Sequence, residues 1–591
     1  MTVESLITQH IDTWTSAVKT KSTTGRGSRK KLDLYGIKKL RELILELAVR
    51  GKLVPQEPND EPASVLLERI AAEKAQLVKD KKLKKQKSGG KVIDDEVLFD
   101  LPSSWEWTRL SEIAEIGPRN TDVKDELEVS FIPMPLISTS YKGDHGSEIK
   151  HWKDIKKGYT HFCDGDIALA KITPCFENSK AAVFSNLKNG IGAGTTELHV
   201  ARPVTDLFEA LFVLLYLKAP MFLKVGETKM TGSAGQKRVP KDFFAGNPLP
   251  FPPQKEQHRI VAKVDELMTL CDQLEQQTEA CIEAHQLLVS TLLNTLTNSA
   301  DADELMENWA RISDHFDTLF TTEESIDQLK QTILQLAVMG KLVPQDPNDE
   351  PASVLLERIA EEKAQLIKEK KIKKQKALPP IADDEKPFDL PNGWEWARFD
   401  SLPLSYCVGL DRGKNLQGTD KQYRYFKMNN ISNVGGIDLS TIVYVDANDA
   451  EVEQYKLKNN DFLFNTRNSK ELVGKTCVYT EMFAEPMLYN NNILRASFTE
   501  KNLSFMLDIW MRSPIGKAVL ELVKSGTTNV WAIYQGKLAL IPCTIPPLEE
   551  QHRIVVKVDE LMALCNQLKA RLERSQATQL HLTDAIVEQA V

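Results

Sequence analysis

Cations and side-chain amides on small polar loops are the chemistry this sequence offers most plainly. Lys229-Met-Thr-Gly-Ser-Ala-Gly-Gln-Lys-Arg238 sets Lys229, Lys237 and Arg238 among Thr231, Ser233 and Gln236. Lys524-Ser-Gly-Thr-Thr-Asn529 offers Lys524, Thr527, Thr528 and Asn529 in the same manner. Two more groups follow Gly-Asp or Asn-Asp turns: Lys171, Asn178 and Lys180 after Gly165-Asp166, and Arg467, Asn468 and Lys470 after Asn460-Asp461. Ammonium and guanidinium groups hold phosphates, while Arg, Lys, Asn and Gln read base edges. For any one residue an ordinary solvated turn is the plain alternative. Matched placement of the two loops favours a shared binding task.

Catalytic chemistry has less support. Gly232–Lys237 lacks the spacing of a G-x-x-x-x-G-K-[ST] phosphate loop. Gly190-Ile-Gly-Ala-Gly194 has no clear strand before it and no convincing helix after it, so it reads as a loop. Asp383-Asp-Glu385 and Lys386 fall in a Pro-bounded linker, and His and Cys are not at metal-binding spacing. The eight cysteines form no CxxC pair and read as reduced thiols. No catalytic residue, metal or cofactor is expected on this chain.

The elements that position these loops come in duplicate. Leu40–Lys87 aligns without gaps to Leu329–Lys376 with identity at 38 of 48 positions, and Leu101-Pro-Ser-Ser-Trp-Glu-Trp107 recurs as Leu390-Pro-Asn-Gly-Trp-Glu-Trp396. The tryptophans of that motif read as packing anchors rather than base-stacking platforms. After about 145 dissimilar residues, Glu256-Gln-His-Arg-Ile-Val261 returns as Glu550-Gln-His-Arg-Ile-Val555. One framework thus presents two different surfaces. Ile260, Val264, Leu267, Cys271, Leu274, Thr278, Cys281, His285, Leu288 and Leu292 step by four and three, as do Ile554, Val558, Leu561, Cys565, Leu568 and Leu572. These are heptad seams, each opening after a double proline. Some forty helical residues reach about 60 Å, and two seams in one chain are expected to pair as an antiparallel coiled coil.

Ile37, Leu40, Ile44 and Leu47 predict one shorter amphipathic helix, and Ser64 to about Lys85 another. The lysine tracts at their ends read as solvated linkers rather than DNA contacts. The dissimilar segments mix short β runs with helices. A net charge of −8, from 75 Lys plus Arg and 83 Asp plus Glu, excludes indiscriminate polyanion binding but permits local basic faces. No apolar stretch reaches the roughly 20 residues of a membrane span. Met1–Ala17 lacks the features of a secretory signal, so a cytoplasmic location is expected.

Together, the doubled layout, Gly165-Asp-Ile-Ala-Leu169, Asn460-Asp-Phe-Leu-Phe464 with Arg467-Asn-Ser469, and the closing Pro-Pro-x-x-Glu-Gln-His-Arg-Ile-Val resemble the specificity subunit of type I restriction-modification enzymes. The first copy departs from the pattern at Ala168 and Lys171-Ile-Thr-Pro174. The resemblance implies a subunit without its own catalytic site that reads a two-part, asymmetric double-stranded DNA target. It implies two methyltransferase subunits using S-adenosylmethionine, and two restriction subunits using ATP and Mg. The expected fold is α+β: two small α/β target-recognition domains separated by long helices forming an antiparallel coiled coil, with an internal pseudo-two-fold repeat. The expected divisions are helical region 1–99, recognition domain 100–251, central helical region 252–388, recognition domain 389–546 and closing helix 547–591. Competing expectations are a coiled-coil adaptor whose domains bind proteins, and an enzyme with an unrecognised site.

Overall fold

Ile37, Leu40, Ile44 and Leu47 form the buried face of α1 (Tyr35–Val49), as their spacing requires. Pro62 immediately precedes α2 (Ala63–Lys79), which buries Leu66 and Ile70. Its apolar pattern predicts helix to about Lys85, yet α2 ends at Lys79. Lys81 takes a left-handed φ of 58°, and the Lys82 amide closes back onto the Leu77 carbonyl. The lysine run therefore lies beyond the helix.

The computed structural model describes residues 3–21, 31–86, 89–233, 235–300, 302–374, 377–527 and 530–591. They fall into two units, Met1–Cys281 with Ser575–Val591, and Ile282–Arg574. In the first unit, one four-stranded sheet has the order Glu148–His151, Glu128–Ile132, Ile191–Gly194, Thr160–Cys163. The other runs Ala114–Ile116, Leu198–Pro203, Ile167–Ala170, Ala181–Val183, with α3 (Ala210–Lys218) packed on its last two strands. Ile191–Gly194 corrects the loop read over Gly190–Gly194. Gly192 and Gly194 sit so close to Phe162 and to the Ser130 and Ile132 carbonyls that a Cβ has no room, and small residues in a strand leave no alternation to read. Glu106–Arg109 pairs antiparallel with Pro248–Phe251, so the two ends of this domain lie side by side before α4 (Gln254–Asn298) begins.

The second unit repeats the plan with α5 (Glu323–Val338) and α6 (Ala352–Lys368). Its sheets run Gln417–Gly418, Val443–Val445, Tyr423–Phe426, Met487–Tyr489, and Ser405–Val408, Ile493–Ser497, Phe462–Asn465, Thr476–Val478. α7 (Lys501–Arg512) and α8 (Pro514–Val523) follow. Glu395–Arg398 pairs with Pro542–Ile545 ahead of α9 (Leu548–Ala590). Each domain also has a parallel strand pair at the matching place, Glu128–Ile132 with Ile191–Gly194 and Tyr423–Phe426 with Met487–Tyr489. One sheet thus keeps its strand order in both dissimilar middles, while the other shares three strands and adds its fourth on opposite edges, Thr160–Cys163 beside Ile191–Gly194 in the first domain and Gln417–Gly418 beside Val443–Val445 in the second.

On α4 the predicted seam holds from Ile260 to Leu274 and then slips. Cys281 and Leu288 are exposed, while Val289, Leu293 and Leu296 are buried. A helix with 3.6 residues per turn drifts by about 20° per heptad against a strict seven-residue repeat, which over the four heptads from Ile260 to Leu288 comes to about 80°, most of the roughly 100° between neighbouring residues. On α9, Ile554, Val558 and Cys565 are buried as predicted. The first unit holds the start of α4 and the end of α9, and the second holds the end of α4 and the start of α9.

Identical motifs make identical bonds in the two units. The Trp105 indole donates to Glu256 at 3.0 Å and the Trp394 indole to Glu550 at 2.9 Å; Gln56 and Gln345 donate to the same carboxylates. Arg259 pairs with Asp60 and Arg553 with Asp349. Gln257 and Gln551 each donate to the first proline carbonyl of the double proline, at 2.9 Å. Trp105 and Trp394 are buried anchors, as expected, and they fasten the foot of each domain to its long helix.

Candidate nucleic-acid interface

A buried aspartate precedes the candidate face in each domain. Asp166 follows Gly165, whose φ is 86°, and accepts the Cys163 amide at 2.8 Å and a fork from Arg202. Asp461 follows Asn460 at φ 67° and accepts the Lys458 amide and the Ser497 hydroxyl. Burial pushes both carboxyls above their ordinary pKa, against the hydrogen bonds that favour the charged form. These aspartates close the turn and aim the buried strand that follows it. They take no part in the surface.

In the first domain that strand delivers Lys171 to a hairpin. Thr231 and Arg238 exchange backbone hydrogen bonds at 3.0 and 2.8 Å, the Thr173 amide donates to the Lys237 carbonyl, and the Val239 amide donates to Lys171. Two segments some 60 residues apart thereby become one surface, with Asn178, Lys229, Thr231, Ser233, Gln236 and Lys237 exposed. Gly232 has a φ of 126° and no room for a Cβ beside the Gln236 carbonyl, so glycine is required at this bend. Two of the expected contacts also bond within the chain. Arg238 forks onto Glu197 at 2.8 and 2.9 Å, and Lys180 donates to the Met134 carbonyl at 2.9 Å.

The second domain builds the same arrangement as a three-stranded sheet. Arg467–Asn468 pairs with Trp531–Ala532, which pairs with Ser525–Gly526. Arg467 and Thr527 are exposed; Thr528 and Asn529 lie outside the described residues. Lys470 lies 5.1 Å from the centre of the Trp531 ring and 3.6 Å from Glu521. Lys524 donates to Glu521 at 2.7 Å and to the Lys470 carbonyl at 2.9 Å, so it ties the hairpin to its neighbour.

Each face adjoins a cationic cavity. That of the first domain, about 400 Å³, is lined by Lys171, Arg119, Lys241, His161 and His199, among others. That of the second, about 500 Å³, includes Lys470, Lys475, Arg512, Lys517 and Lys524 with Glu471 and Glu521. Burial lowers the pKa of Lys475, and burial followed by repulsion from Arg512 lowers that of Lys517. Arg119, Lys241, Lys475, Arg512 and Lys517 were not among the candidate contacts read from sequence, although Val473-Gly-Lys475 belongs to the pattern that carries the family resemblance. Lys475 had a signal, since it stands at the same step after its Asn-Asp turn as Lys180 does after Gly-Asp. The others come from elements with no motif of their own. Among the described residues no cluster of His, Cys, Asp and Glu could hold a metal ion.

A family model for the type I restriction modification DNA specificity domain matches residues 102–284 and 414–574, one span for each domain. The chain belongs to the type I restriction specificity subunits. It is 55% identical over 603 residues to the EcoAI specificity subunit of Escherichia coli and 51% identical over 604 residues to the EcoEI subunit of the same species, covering all of both chains in each case. A solved chain reported for complex assembly and conformational transition of the type I R-M system shares the fold, with a TM-score of 0.50 at 17% identity over 83% of this chain and 99% of that one. As a specificity subunit this chain supplies sequence discrimination and has no catalytic site of its own. No described helix is long and apolar enough to cross a membrane.

Proposed function

We propose that the two domains, about 100–251 and 389–546, each read one half of an asymmetric double-stranded DNA target through the paired turn and hairpin. In this reading the helical regions 1–99, 252–388 and 547–591 form the framework. It serves two methyltransferase subunits, which use S-adenosylmethionine, and two restriction subunits, which use ATP and Mg, in the cytoplasm. The observation that carries the reading is the convergence, in both copies, of a post-aspartate segment with a polar hairpin. In this assignment Lys171, Asn178, Lys229, Thr231, Ser233, Gln236, Lys237, Arg467, Asn468, Lys470, Thr527, Thr528 and Asn529 face DNA. Lys180, Arg238 and Lys524 brace the loops.

Titration of the complex with its methyltransferase partner onto cognate and random duplexes tests this. Lys237→Ala is expected to weaken both and to reduce the slope of log affinity against log salt by about one, the signature of a lost phosphate contact. An unchanged slope would remove Lys237 from the interface, and equal affinity for every duplex would favour the protein-binding adaptor.

We further infer that the long helices set the distance between the halves. A heptad inserted into both adds about 10 Å, close to three base pairs. The preferred spacer is expected to lengthen while the half-site letters stay the same. The spacing of methylated adenines in genomic DNA reads this directly, and unaltered spacing would end the ruler assignment.

A further inference from the structure

Lys218 ends α3 with its ammonium inside the first domain, only 3% exposed. Its Nζ donates to the Ser179 carbonyl at 2.7 Å. Among the described residues it has no carboxylate within ion-pair distance. Asp144 acts on it only at longer range, and burial holds its pKa down to about 7. A buried ammonium without a partner carboxylate costs stability, and an apolar side chain here would avoid that cost.

The bond reaches the turn that carries Asn178. The Asn178 amide closes onto Pro174, the Ser179 amide onto Phe176 and the Lys180 amide onto Cys175, while the Lys180 carbonyl accepts the Ala170 amide. Ser179 itself holds a left-handed φ of 54°, a conformation that is costly for serine and has to be held by its surroundings. The second copy solves the same position differently. There Arg512, in the place of Lys218, pairs with Asp508 one turn earlier at 2.8 Å. The residue in the place of Asp508 is Leu214, so the first domain lacks that intrahelical partner and its cation turns to the loop.

We propose that Lys218 is a positioning residue for DNA reading by the first domain, fixing the Pro174–Lys180 turn through the Ser179 carbonyl so that Asn178 and Lys171 meet their half-site in one geometry. The proposal rests on the function assigned above to this domain.

The test uses the methyltransferase complex and duplexes altered in one half-site at a time. Lys218→Met is expected to reduce discrimination at the first half-site at least tenfold. Discrimination at the second half-site and the salt slope on random duplex should stay as in the parent. Lys218→Arg, which can reach the same carbonyl, should recover most of the loss. The double variant Leu214→Asp with Lys218→Arg builds the ion pair of the second copy and draws the cation off the turn. It should also lose discrimination, and it answers the question if Lys218→Met does not fold. Parent-like discrimination in Lys218→Met or in the double variant overturns the proposal, as does equal loss at both half-sites. Asn178→Ala separates the two levels. If it alters first-half discrimination while the Lys218 variants do not, the positioning role is wrong and the reading face stands; if neither does, the assignment of this face to DNA has failed.

Discussion

Exchanging residues 108–245 for the equivalent segment of a relative with a different target is expected to replace one half of the recognised sequence and leave the other half intact. The exchange cuts the chain where its ends already lie side by side, in the antiparallel pair of Glu106–Arg109 with Pro248–Phe251. Trp105, Glu256 and Gln56, which fasten the domain to α4, lie outside the segment and keep their bonds. Arg109 is the internal residue most engaged with the framework, forking between Glu96 and the linker carbonyls of Gly90 and Lys91. Arg398 makes the equivalent bonds to Glu385, Pro379 and Pro380, which shows that this junction tolerates a dissimilar domain above it. A mismatched base pair costs about 1–3 kcal/mol, so three altered pairs should change preference on the order of a hundredfold or more. Methylated-adenine mapping of the hybrid system gives the answer. A change in both halves would show that the domains do not read independently.

The doubled framework was legible because repetition is visible in letters alone: Trp105 and Trp394, Glu256 and Glu550 all sit at matched positions. What joins them was not. The Trp394–Glu550 bond spans 156 residues, and no local pattern announces a contact at that distance. The heptad reading located the long helices correctly but carried the seam of α4 too far, because a repeat counted in whole residues cannot register the drift of a real helix. Gly190–Gly194 failed as a strand by sequence because its glycines serve close backbone approach, which removes the side chains that periodicity counts. At the candidate interface, spacing singled out loops that the fold joins, and not the fate of each side chain. Arg238 and Lys237 are adjacent, alike in sequence and both exposed, yet Glu197, some 40 residues away, forms an ion pair with Arg238. Lys470 and Lys524 met around Glu521 for the same reason: charge pairing is settled by tertiary neighbours.

Glu550 gives the second large expected effect, on stability against pH. It is 1% exposed, and burial pushes its pKa from 4.5 up to about 7. The indole of Trp394 and the charge of Arg553 pull the other way, and burial outweighs them. A carboxyl whose folded pKa lies above its unfolded value binds more protons folded than unfolded between the two. Its stabilising contribution is therefore complete below about pH 4.5 and is lost as pH rises through about 7. The interval corresponds to roughly 3 kcal/mol at most. Glu256, raised by burial in the matching position of the first unit, acts in the same direction. The half-exposed Glu385, held down to about 2 by its hydrogen bond from Arg398, titrates below this window and does not disturb it. Glu550→Gln keeps an acceptor for the indole, and Gln345 can turn its amide to meet the new donor. Urea unfolding of the full chain should find this variant more stable than the parent at pH 8.5, with the difference shrinking toward pH 4.5. A parent that gains on the variant as pH rises would mean that the indole and Arg553 outweigh burial, and that the clamp at the foot of the domain is built around a charged carboxylate.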